Sequence, residues 1–373
     1  MVSYRMILRS ACMFSAAVAL ACAGQEDQSA MEGEDTTGAV ATEEPSQPDD
    51  RMQQVLDQLA SLGGEPIATL TPAQAREQPT PTDAVKALLA AEGDSAPKPA
   101  VTTSERTISS GTATIPVTVY KPEGASGALP VVVYYHGGGW VIANPEVYDA
   151  SARALSEKAQ AVVVSVDYRQ GPENRFPAAH DDALAAYRWT LENAASIGGD
   201  PARVALVGES AGGGLALATA IAARGEGLQA PAAIVSIYPI AGTDTTTESY
   251  QTYANAKPLN RAMMSWFFEN YLRSPADRQD PRVNLIAADL RALPKVTIIN
   301  AEIDPLRSDG ELMADALREA GVEVEQNTYE GVTHEFFGMG AVLEEARDAQ
   351  DQAADALRDA FDDDDDQDET PGS

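Results

Sequence analysis

The sequence predicts an α/β protein, with a mostly parallel central sheet flanked by helices and a helical cap. Three observations lead there. Short apolar runs recur along the chain: "LPVVVYYH", "AVVVSVDYR", "RVALVG", "AAIVSIYP", "KVTIINAEID" and "VEVEQNTYE". Helical stretches separate most of them, as at 177–196 and 308–320. Apolar strands alternating with helices imply parallel pairing with both faces covered. The third observation is the junction "RVALVGESAGGGLALATAIAAR" at 203–224, where a buried strand meets a helix lined with small residues around Ser210.

From the N-terminus, residues 1–21 read as an export signal. Arg5 and Arg9 precede the apolar run from Ala11 to Ala21, which is too short to span a bilayer as a mature helix. Ala19 and Ala21 then stand in A-x-A spacing, and Cys22 follows as a candidate lipid anchor, so the expected location is periplasmic, membrane-anchored or secreted. This region resembles a bacterial lipoprotein, although Ala19 stands where such signals usually carry leucine. After cleavage only Cys22 remains, so no internal disulfide is available. Residues 22–50 read as an acidic disordered linker.

Residues 51–104 read as an N-terminal cap segment and link, with amphipathic helices broken by "SLGGEPIATLTP" and "QPTPTD". The catalytic domain is expected at 105–361. It opens on "ERTISSGTATIPVTVYKP", which has strand alternation with turn residues. Residues 241–272, with "MMSWFFENYL", interrupt the strand–helix rhythm and are expected to add to the cap. Residues 362–373 read as an acidic disordered tail.

The formal net charge is −31. Nine acids and no base lie in 25–50, and seven acids and no base in 361–373, yet the total exceeds what these segments hold. The folded part is therefore acidic too. This argues against nucleic acid and anionic lipid as partners, leaving N-terminal lipidation as the expected membrane attachment. A surface suited to salty surroundings is a further expectation.

The chemistry centres on "GESAG". It matches G-x-S-x-G, a sharp strand-to-helix turn that lifts a serine above the sheet, and Gly208 and Gly212 are needed there for steric reasons. The helix N-terminus, including the N–H of Ala211, can stabilise an anion. Phosphate and dinucleotide loops are poorer readings, because the lysine of the first and the G-x-G-x-x-G of the second are missing. A serine needs a base, and there are three histidines. His180 reads as a helix-surface residue beside Asp181 and Asp182. His136 precedes three glycines whose bare backbone suits an oxyanion hole. His334 follows the last strand and remains as the base. The acid must then fall between 210 and 334; Asp304 ends a buried strand, whereas Asp309 reads as a solvated residue of the next helix.

"HGGGW", "GESAGGG", "DPL" and "THEFFG", in this order, resemble the hormone-sensitive-lipase-like esterases of the α/β-hydrolase superfamily. The resemblance runs from about residue 51 to 361. It implies an α/β-hydrolase fold and a carboxylic-ester hydrolase working through an acyl-enzyme. It further implies Ser210 as nucleophile, His334 as base and then acid, and Asp304 as the group that orients the imidazole. Gly138, Gly139 and Ala211 would supply the oxyanion hole, with His136 and Gly137 shaping the loop. Trp140 is expected to wall an acyl pocket suited to short acyl chains, and Trp266, Phe267 and Phe268 read either as the closed end of that pocket or as helix core. Gln170 and Gly171 depart from the family's usual Leu-Ala pair, and Glu209 from its usual Asp or Thr. No metal or cofactor is expected, and the oligomeric state stays open. An amidase or deacetylase with the same triad, and a non-catalytic binding protein on this fold, are the alternatives.

Overall fold

The computed structural model describes residues 45–96 and 98–368, with side chains through 362. The export segment and Cys22 lie outside the described residues. The apolar runs pair into one eight-stranded sheet. A hairpin supplies β1 (Val101–Ser110) and β2 (Ala113–Pro122). Then come β3 (Leu129–Tyr135), β4 (Val162–Val166), β5 (Gly199–Glu209), β6 (Ile234–Ile237), β7 (Val296–Ile303) and β8 (Val324–Thr333). The order across the sheet is β1-β2-β4-β3-β5-β6-β7-β8. β2 pairs antiparallel with both β1 and β4, and every other pair is parallel.

Helices cover both faces because the strands are apolar on both sides. In β3, Val131, Val133 and Tyr135 join one core, while Val132 and Tyr134 join the other. The first core is closed by α5 (Ala178–Asn193), α6 (Ala211–Gly225) and α9 (Arg307–Glu319). The second is closed by α4 (Asp149–Ala159) and α10 (Glu344–Asp368). Eleven residues of α6 are buried, which explains its glycines and alanines: larger side chains would hold it off the sheet.

The N-terminal segment folds as α1 (Asp50–Ser61), α2 (Pro72–Arg76) and α3 (Pro81–Glu92). Each start is chemically marked. Asp49 accepts from Met52 N, and Thr71 and Thr80 form capping boxes ahead of a proline. Met52 and Val55 of α1, with Ala84, Val85 and Leu89 of α3, complete the second core. Thr82 donates to the carbonyl of Val147 at 2.8 Å. Two further helices, α7 (Glu248–Thr252) and α8 (Arg261–Tyr271), fall within 241–272. Trp266 Nε1 donates to Leu70 O at 3.0 Å, tying α8 to the N-terminal segment.

One expectation is corrected at the C-terminus. The acidic run read as disordered from 362 onward is helical to Asp368, as the end of α10. Ala349, Ala353, Ala354, Leu357 and Phe361 give α10 a buried stripe at helical spacing. Once that stripe anchors the helix, adding a residue needs only propagation, not nucleation.

Candidate active site

Ser210 stands between the end of β5 and the start of α6, with φ 56° and ψ −118°. That conformation is costly for a residue with a Cβ and persists only when its surroundings fix it. Ser210 N donates to Ile237 O at 2.8 Å, and Ser210 O accepts from Ile240 N at 3.1 Å. A Cβ at Gly208 would collide with the Gly212 carbonyl, and one at Gly212 with that of Tyr135. The glycines let strand, turn and helix close on one another.

Asp304 directly follows β7 and His334 directly follows β8, so all three groups sit at the carboxyl edge of the parallel strands. His334 Nε2 is 2.9 Å from Ser210 Oγ, and His334 Nδ1 is 2.6 Å from Asp304 Oδ2. The carboxylate can only accept from Nδ1–H, which leaves Nε2 bare to accept from the serine hydroxyl. Asp304 Oδ1 accepts from Leu306 N at 2.8 Å, fixing the carboxylate. Burial opposes charge on His334, but Asp304, Glu335 and Glu209 outweigh it and hold its pKa above the ordinary value.

The "HGGGW" loop crosses the same edge. Gly138 and Gly139 have φ of 95° and 58°. Gly138 O accepts from Val141 N and Ile142 N at 3.1 and 3.0 Å, yet no hydrogen bond to another described residue uses the N–H of Gly138 or Gly139. Ala211 opens α6, where an N–H has no intrahelical acceptor. His136 is buried, which lowers its pKa to about 4, and its Nδ1 donates to Gly137 O at 2.8 Å. Its ring stacks on Tyr168 at 4.3 Å, and the Tyr168 hydroxyl donates to the carbonyls of His136 and Gly137.

A family model described as alpha/beta hydrolase fold matches residues 132–338. The chain is 39% identical over 270 residues to the carboxylesterase NlhH of Mycobacterium tuberculosis, covering 70% of this chain and 84% of the relative. It is also 39% identical to the ethyl acetate hydrolase of Pseudomonas putida, over 66% of this chain and 78% of the relative. Among solved structures, the hyperthermophilic esterase from Pyrobaculum calidifontis superposes with a TM-score of 0.75 at 37% identity, over 84% of this chain and 98% of that one. The chain belongs to the α/β-hydrolase family, in its hormone-sensitive-lipase-like group.

Several details of this hydrolase differ from what its sequence suggests. Trp140 does not line an open pocket: it is buried and stacks on Tyr271 at 4.9 Å, behind the loop it belongs to. Trp266, Phe267 and Phe268 are also buried, and the Phe267 ring occupies the space a Cβ at Gly139 would take. His180 is not on the surface. Its Nδ1 is 2.8 Å from Tyr271 Oη and its Nε2 3.0 Å from Arg282 O, and burial lowers its pKa to about 4. Asp309 is not solvated either. It accepts from Gly242 N at 2.9 Å and Ala241 N at 3.2 Å, and burial raises its pKa to about 7. Both errors share a cause: helix α5 is buried along its loop-facing side, and the first turn of α9 packs under the chain leaving β6.

The departures from the family's pattern also have local partners. Gln170 Nε2 donates to the carbonyls of Ile142 and Ala143, both at 2.9 Å, bracing the far end of the glycine loop. At Gly171 a Cβ would press on the backbone of Asn270 and Tyr271, so α8 can approach. Glu209 is fully buried and accepts from the hydroxyls of Tyr134 and Tyr238. Burial raises its pKa to about 7. Tyr238 in turn lies against the His334 ring, with centroids 4.6 Å apart. Tyr148 and Glu335 were not singled out from sequence; the only signal was the adjacency of Glu335 to His334. Among the described residues, no group of three His, Cys, Asp or Glu side chains is placed to hold a metal ion.

Proposed function

We propose that this hydrolase cleaves carboxylic esters of short acyl chains through an acyl-enzyme on Ser210. The carrying observation is the continuous hydrogen-bond chain from Ser210 Oγ through His334 to Asp304. In this reading His334 Nε2 takes the serine proton as Oγ attacks the ester carbonyl. The N–H groups of Gly138, Gly139 and Ala211 receive the developing oxyanion. His334 then returns the proton to the leaving alcohol, and a water repeats the sequence to release the acid. Asp304 holds the tautomer and stabilises the imidazolium. The names of the relatives, esterases and an ethyl acetate hydrolase, favour ester over amide substrates. We also propose export, with lipidation at Cys22, from the composition of residues 1–24.

A fluorophosphonate probe tests the mechanism. It should label the native chain on Ser210 and leave Ser210→Ala unlabelled. The same substitution, or His334→Ala, should lower kcat on p-nitrophenyl butyrate by about 10⁴-fold. Labelling at another residue would exclude this triad.

A further inference from the structure

Glu335 follows His334 directly and adopts a left-handed φ of 72°. A residue with a Cβ pays strain to stand there, and the turn aims its carboxylate back at the reacting edge. Glu335 Oε1 is 4.0 Å from His334 Nε2, the nitrogen that also holds Ser210 Oγ. The same oxygen accepts from the Tyr148 hydroxyl at 2.6 Å. That hydroxyl occupies the space beside Gly137 where a Cβ would stand, a point 3.2 Å from Ser210 Cβ. Tyr148 therefore holds the carboxylate between the glycine loop and the histidine turn.

The exposures give this pair a direction. Ser210 and His334 are 4% and 3% exposed, whereas the Glu335 side chain keeps 20%. Among the described residues, the carboxylate's second oxygen accepts no hydrogen bond, and His334 is the one basic group within 4.0 Å. Burial raises the Glu335 pKa, with His334 and the Tyr148 hydroxyl opposing that rise, and its carboxyl is the acidic group on the solvent side of the triad.

A leaving alcohol must bring its oxygen within hydrogen-bond reach of His334 Nε2 to collect the proton. The alcohol portion then extends from a point within roughly 7 Å of the Glu335 carboxylate, the 4.0 Å from Glu335 Oε1 to His334 Nε2 plus about 3 Å for that hydrogen bond. We propose that Glu335 is a specificity-determining residue on the leaving-group side, selecting esters of cationic alcohols over those of anionic alcohols. This rests on the triad reading above and names the substrate class that the same site takes. A unit charge at such a distance in a partly exposed site changes affinity by about tenfold, and added salt weakens the effect.

The test uses the full chain at pH 8 and low salt with three acetates: choline acetate, its uncharged isostere 3,3-dimethylbutyl acetate, and 3-acetoxypropanoate. The wild type should show kcat/KM about tenfold higher for the choline ester than for its isostere, and lowest for the anionic ester. Glu335→Gln should bring the cationic-to-neutral ratio to within about twofold of unity, mainly through KM of the choline ester. Glu335→Gly removes the same charge and suits the left-handed backbone, so it reads the effect even where the glutamine variant folds poorly. A ratio unchanged in both variants, with the neutral ester still hydrolysed, would overturn the role of Glu335 alone. A wild type that hydrolyses none of the three would overturn the ester reading itself.

Discussion

The Nδ1 atom of His180 lies 2.8 Å from the hydroxyl of Tyr271, whose ring stacks on Trp140 of the glycine loop. His180 Nε2 faces the Arg282 carbonyl at 3.0 Å and must donate to it, so Nδ1 accepts from the tyrosine. A side chain read from sequence as a surface residue therefore supports the loop from behind.

Replacing His180 with alanine should be destabilising. The change opens a cavity among Trp140, Phe176 and Tyr271 and strands the Tyr271 hydroxyl and the Arg282 carbonyl. The expected cost is about 3 kcal/mol, from lost packing plus unsatisfied buried groups. Thermal melting should register it as a fall of roughly 4–5 °C for a fold of this size. A melting temperature within a degree of wild type would show that this ring carries no structural weight.

Asp309 should make stability depend on pH. Its carboxyl is held at about 7, above the ordinary value of 3.8. The folded state therefore binds this proton more tightly than the unfolded chain does. Its contribution is full below the unfolded value and is lost as pH rises through 7. Asp309→Asn mimics the protonated form, so variant and wild type should melt alike near pH 4. The variant should gain steadily up to pH 7 and keep that gain above it, by about 4 kcal/mol for a shift of about three units. Denaturant titrations from pH 4 to 8 read this directly, and a difference that is flat with pH would contradict the buried, protonated carboxyl.

Much of the sheet was legible because its strands are short, apolar runs separated by helices. Val131–Val133 and Val162–Val164 carry no other plausible reading. Ser210, Asp304 and His334 were legible because each is bound to a local motif at a strand end. Their support was not. The Glu209 carboxyl finds Tyr134 on β3 and Tyr238 just past β6, and Glu335 finds Tyr148 across 187 residues of chain. Such partners are chosen by strand order, which periodicity does not encode. Trp140 and His180 failed for a related reason: residue type suggested a pocket wall and a solvated helix face, and tertiary packing turned both inward.

Acyl-chain length is the most exposed prediction. The Phe267 ring lies against the backbone of Gly139, an expected oxyanion donor, and Trp266 and Phe268 flank it in the buried core. Ser210 is almost closed to solvent, and the Phe267 ring stands on the Gly139 side of it. Each methylene that is buried contributes about 0.8 kcal/mol, close to fourfold in kcat/KM, so efficiency should rise over the first members of a series. If the acyl chain runs toward the Phe267 ring beside Gly139, methylenes beyond that contact must bend back or protrude, and efficiency should fall. The maximum is expected at roughly four to six carbons, with little turnover beyond about eight, for chains growing at this increment until burial stops. A p-nitrophenyl series from acetate to palmitate measures this. Phe267→Ala removes the ring nearest Gly139, and the optimum should move to longer chains while acetate loses efficiency. Steady improvement to palmitate in the wild type, with a jump in rate at emulsion interfaces, would mean an open lipase-type groove and contradict the wall at Phe267.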